Sequence, residues 1–117
     1  MKNVCNSLVG KTGGGQTLNL GSNCYTESTI IHEFMHAFGV HHYQNRPDRD
    51  QYVTIHEDNI DSDNISPINW DLEHGSNTYG TEYDMKSFMH YRALDGSKNG
   101  KPVITLKVYF GPDHANC

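Results

Sequence analysis

Apolar residues recur at spacings of three and four through Ile30, Ile31, Phe34, Met35 and Phe38. That period predicts an amphipathic helix over about residues 26 to 38, its stripe turned to a core. Thr26, Ser28 and Thr29 stand at its start and offer capping side chains. The pattern changes before the helix. Gly13 to Gly15 lead into the alternation Gln16, Thr17, Leu18, Asn19 and Leu20, which predicts a half-exposed strand within an edge hairpin over residues 1 to 25. Residues 43 to 86 are rich in Asn, Asp, Ser and Pro and read as loop, with a short helix near Ile55 to Ile60. Alternation returns over Lys101 to Tyr109 and predicts a strand. The architecture expected is α+β.

Composition narrows the classes. The chain has 117 residues, a single-domain length, and a hydrophobic share of 35% that supports only a modest core. A formal charge of −5 argues against nucleic acid or an anionic membrane as main partner. No apolar run reaches the length of a membrane-spanning helix.

Candidate chemistry concentrates in HEFMHAFGVHH, residues 32 to 42, which reads H-E-x-x-H-x-x-G-x-x-H. Residues four apart lie one turn apart on one helix face, so His32 and His36 can aim at one point. A third nitrogen six residues further on reaches that point only if the helix stops. Gly39 stands where it must stop, since glycine tolerates left-handed backbone. His42 then closes a three-histidine site. Three protein ligands leave room for water, the layout of a catalytic zinc site. Glu33 stands ready to take a proton from that water. A single histidine is weak evidence for metal. Five residues at fixed offsets are strong evidence, and a merely His-rich helix is the minor alternative.

Two further segments fall in register with this one. Arg46, Asp48, Arg49 and Asp50 match R-x-D-R-D, and Ser87, Met89, His90 and Tyr91 match S-x-M-H-Y. With the glycine-rich strand GGGQTLNL, Gly13 to Leu20, the chain resembles the astacin family of metzincin zinc proteases over about residues 5 to 92. The resemblance implies a zincin catalytic domain with a zinc helix, an edge strand and a methionine turn at residues 87 to 91. It implies one catalytic Zn2+ held by His32, His36 and His42, with Tyr91 as a further ligand that leaves the metal to stabilise the transition state. It implies Glu33 as general base and Met89 as a floor beneath the imidazoles. His41 and His90 receive no metal role. The charged cluster from Arg46 to Asp50, marked as a turn by Pro47, reads as scaffold. The expected substrate is a protein or peptide in extended conformation, added along the edge strand of a cleft with zinc at its floor. Oligomeric state is left undetermined.

Cysteines set the expected compartment. Cys5 and Cys24 stand where the family has a disulfide, which would stabilise the fold by about 3 kcal/mol and place the chain in a secreted, oxidising setting. Cys117 would pair with a cysteine upstream of this chain in the family's pattern, or remain a free or intermolecular thiol. Asn64-Ile65-Ser66 is a glycosylation sequon, weakened by Pro67.

Three departures qualify the resemblance. Only 31 residues precede His32, and Met1 to Cys5 has no leader-like apolar stretch, so residues 1–117 read as a partial catalytic domain lacking the N-terminal part of its sheet. Tyr43 stands where the family usually has a glutamate that engages the mature amino terminus. The strand expected at residues 101–109 replaces the family's more usual helix. The expected function is zinc-dependent peptide-bond hydrolysis. A non-hydrolytic zinc-binding fragment or secreted binding module is the alternative, and a metal-free disulfide-linked module the third possibility.

Overall fold

The structure is a computed structural model that describes residues 4–107, so Cys117 and the end of the 101–109 segment lie outside the described residues. Contacts divide these residues into two units, one of residues 4–43 and 84–91 and one of 44–83 and 92–107.

The first unit holds the motif. Strands β1 (Cys5–Ser7) and β2 (Leu18–Leu20) pair antiparallel with Cys5 opposite Leu20 and Ser7 opposite Leu18. The Cys5–Cys24 disulfide joins β1 to the turn after β2, with Cα atoms 5.8 Å apart. It closes the hairpin as the family resemblance implies. Gln16 braces the connecting loop: its Nε2 donates to the Gly10 carbonyl, and its Oε1 accepts from the Thr12 N–H.

Helix α1 runs Glu27–Ala37, inside the expected 26–38. Of the three candidate caps, Thr26 acts: its side chain accepts from the Thr29 N–H. The helix ends in a Schellman arrangement. The Val40 N–H reaches the Met35 carbonyl at 3.0 Å, the Gly39 N–H reaches the His36 carbonyl at 2.8 Å, and Gly39 has φ +98°.

The burial of α1 departs from expectation. Its buried residues are Glu33 and His36, whereas Phe34 is 48% and Phe38 80% exposed. Periodicity identifies side chains that gain from burial; it does not supply the element that covers them, and among the described residues Phe34 is only half covered and Phe38 hardly at all.

The second unit packs around Val53, Val103, Ile104, Ile60 and Trp70, all buried. Strands β3 (Val53–Ile55) and β4 (Ile104–Leu106) pair antiparallel, with Val53 opposite Leu106. β4 lies inside the expected final strand. The helix expected near Ile55 to Ile60 is a single 3-10 turn, Glu57–Asn59, because Ile55 is committed to the β3 ladder. Gly96 (φ +75°) lies against Trp70, and a Cβ there would come within 2.8 Å of the Trp70 ring and of Ile65. The unit also holds an open cavity of ≈ 790 Å³ whose walls include Ile55, Ile60, Trp70 and Leu72.

The charge cluster read as scaffold is more buried than a solvated turn. Arg46 is 8% exposed. Its Nε and Nη2 fork onto the two Asp48 carboxylate oxygens at 2.9 and 2.8 Å, while Nη1 and Nη2 also donate to the Glu82 and Thr81 carbonyls. Its guanidinium lies 5.3 Å from the centre of the Tyr83 ring, which stacks on Tyr52. Arg49 donates from Nη1 to the Gln44 and Trp70 carbonyls.

Candidate metal centre

Helix α1 presents His32 and His36 one turn apart, and the stop at Gly39 returns the chain so that His42 meets them. The His42 Nε2 lies 3.1 Å from His36 Nε2 and 3.2 Å from His32 Nε2. The other ring nitrogens explain which atoms converge. His32 Nδ1 is 2.7 Å from the Phe88 carbonyl and His36 Nδ1 is 2.8 Å from the Val40 carbonyl. A carbonyl only accepts, so each Nδ1 carries the proton and each Nε2 presents a lone pair. Lone pairs crowded this closely repel unless a cation lies between them. Zinc–nitrogen bonds of about 2.0–2.1 Å in a tetrahedron place nitrogens about 3.3 Å apart, a few tenths from the spacing found. The three histidines are positioned to bind one zinc ion.

Electrostatics favour the metal-ready form. Burial pushes His42 down to about 3, reinforced by the neighbouring His36, His32 and His41 rings. Burial also lowers His36, against the raising effect of its bond to the Val40 carbonyl. Neutral imidazole is the form that binds metal.

The methionine turn stands against this cluster. Met89 is 2% exposed. Its carbonyl accepts the Tyr43 N–H at 2.8 Å, next to His42. The preceding carbonyl, that of Phe88, is the one that orients His32. Tyr91 brings its ring to 4.7 Å from the His42 ring, at an interplanar angle of 55°. Glu33 is 5% exposed, and among the described residues its Oε2 is buried without a hydrogen-bond partner. Burial raises its pKa, partly opposed by His32. A buried carboxylate oxygen with no protein partner suits a group that handles a proton.

The structure therefore brings His32, His36, His42 and Tyr91 together, with Glu33 on the same helix. Sequence reasoning does not single out three main-chain groups that position the ligands. The Phe88 and Val40 carbonyls fix two tautomers, and the Gly10 N–H donates to the His36 carbonyl at 2.8 Å. Backbone groups have no residue signature, and only the glycine at position 10 hints at a close approach.

Comparison with known proteins agrees with this geometry. The family model for the astacin family of peptidases matches residues 1–110. The chain is 44% identical over 100 residues to zinc metalloproteinase nas-13 of Caenorhabditis elegans, covering 86% of this chain and 22% of that protein. It is 44% identical over 104 residues to embryonic protein UVS.2 of Xenopus laevis, covering 88% of this chain and 20% of that one. Among solved structures it is similar to high choriolytic enzyme 1, a hatching enzyme zinc-protease from the medaka Oryzias latipes. The TM-score is 0.82 at 38% identity, over 90% of this chain and 52% of that chain. The chain thus spans about a fifth of these two curated relatives and half of the solved one. The chain belongs to the astacin family, and its fold is that of an astacin-like zinc protease.

Proposed function

We propose that this chain is a secreted zinc endopeptidase, part of an astacin-type catalytic domain, in which Glu33 is the general base. The observation that carries this reading is the convergence of the His32, His36 and His42 Nε2 atoms, with the partnerless Glu33 Oε2 on the same helix. A zinc ion held by the His32, His36 and His42 Nε2 atoms would supply Lewis acidity toward a peptide carbonyl and toward water. Glu33 accepts a proton from the attacking water at its carboxylate and delivers it to the departing amine nitrogen. The Tyr91 hydroxyl would complete the ligand set at rest and would donate to the oxygen on which negative charge develops.

Strand β2 supplies the substrate's place. Among the described residues it pairs only with β1, leaving its other edge open for an extended peptide to add as a strand. The Cys5–Cys24 disulfide supports an oxidising, extracellular setting.

The test is Glu33→Ala in the full chain, with zinc stoichiometry and casein hydrolysis measured side by side. Zinc is retained and hydrolysis falls by about 10²–10⁴-fold. Unchanged hydrolysis would refute the assigned base. The exposure of Phe34 and Phe38 favours a second reading, a zinc-binding module that does not hydrolyse. A wild-type chain that takes up one zinc yet leaves casein intact would establish it.

A further inference from the structure

We propose that His90 is a positioning residue for Tyr91, holding the backbone from which the phenol projects; this rests on the hydrolytic reading above. The methionine turn is anchored on Ser87, through both its main chain and its side chain. The His90 N–H donates to the Ser87 carbonyl at 3.0 Å, and the Met89 N–H donates to Ser87 Oγ at 3.2 Å. From that fixed start the His90 ring folds forward, and its Nδ1 lies 2.6 Å from the Tyr91 carbonyl. The acceptor is a carbonyl, so Nδ1 carries the proton.

This bond closes a small ring through the backbone of Tyr91. The ring contains both rotatable bonds at the Tyr91 Cα, so it restrains the φ and ψ of that residue together. The direction in which the Tyr91 side chain leaves the backbone is thereby set, and any movement of the phenol is confined to its own side-chain torsions. The consequence grows with distance from Cα. A slip of about 10° at the backbone moves the phenol oxygen by about 1 Å, and misplacement on that scale costs about 10²-fold in rate. A histidine that merely satisfied a surface carbonyl would be exposed. His90 is half-buried, between buried Met89 and the ring packed on His42.

The full chain tests this with two substitutions. His90→Asn keeps an N–H donor near the position of Nδ1, whereas His90→Leu fills space without donating. Both are expected to keep one zinc. His90→Leu loses about 10²-fold in kcat with KM changed by less than about threefold, and His90→Asn recovers most of it. Two readouts need no turnover. The imidazole ¹H–¹⁵N spectrum of the wild-type chain shows His90 with its proton on Nδ1. Nuclear Overhauser contacts between the Tyr91 and His42 rings are present in the wild type and His90→Asn and lost in His90→Leu. A wild-type Nε2–H tautomer, ring contacts kept in His90→Leu, or an Asn variant as impaired as Leu overturns the proposal. A wild type without hydrolysis defeats the catalytic reading alone, and the tautomer and ring contacts then still decide the role of His90.

Discussion

Replacing Gly39 by alanine tests the stop that delivers the third ligand. Gly39 has φ +98°, and a Cβ there meets nothing nearer than the Gly10 Cα at 3.8 Å, an ordinary contact. The cost of Gly39→Ala is therefore conformational rather than steric. Left-handed backbone costs an L-residue about 1–2 kcal/mol. This φ lies well beyond the usual left-handed minimum near +57°, which places the cost at the upper end of that range. The strain has two outlets. If the Schellman turn holds, the whole chain loses about that much stability. If the turn relaxes, the Gly39 N–H and His36 carbonyl separate, and His42 swings out of line with His32 and His36.

The two outlets give different measurements. In the first, urea denaturation of the metal-free chain shifts by the full amount while zinc affinity is kept. In the second, stability changes little and zinc affinity falls about 5–30-fold, since 1.4 kcal/mol corresponds to a factor of ten. Competition titration against a chromophoric chelator reads the affinity. A Gly39→Ala chain with both wild-type stability and wild-type zinc affinity would refute the link between the positive φ and the placement of His42.

Two further outcomes follow from the same geometry. The folded pKa values of His36 and His42 lie below the unfolded value near 6.5, so the unfolded chain binds more protons as pH falls from there towards about 3, where His42 also protonates in the folded state. Stability of the metal-free chain is thus fully present above pH 6.5 and falls below it by up to about 1.4 kcal/mol per pH unit for each such histidine. The raised pKa of Glu33 acts oppositely, so Glu33→Gln should steepen the slope; urea midpoints from pH 7.5 to 5 that do not move would count against the neutral, buried histidines. Arg46→Ala removes both halves of the Asp48 fork and two carbonyl contacts, and with Asp48 24% exposed the expected loss is about 2–4 kcal/mol by thermal or urea denaturation. Arg46→Lys should recover less than half of it, because one ammonium cannot reproduce the planar fork; full recovery would make the site a simple charge pair.

What the sequence reveals and what it conceals divide along one physical line. The candidate zinc ligands are legible because their identities and offsets are themselves the chemistry: His32 and His36 need one helical turn, and Gly39 needs its φ. Thr26 and the strand around Leu18 are legible for the same reason, since capping and alternation are local. Arg46 reads as part of a turn, yet its partners at Thr81 and Glu82 lie 35 and 36 residues away, and no local pattern announces them. Ile55 belongs to a strand because Ile104 pairs with it, a decision taken 49 residues downstream. Phe34 and Phe38 show the converse, with a periodic stripe present and its cover incomplete among the described residues. The tautomers of His32 and His36 follow this rule most sharply. Their ligand role is written in side chains, but the protons that make it possible are set by the carbonyls of Phe88 and Val40. Substituting either of those residues with another apolar side chain should therefore leave zinc binding nearly intact, whereas moving their backbone should not.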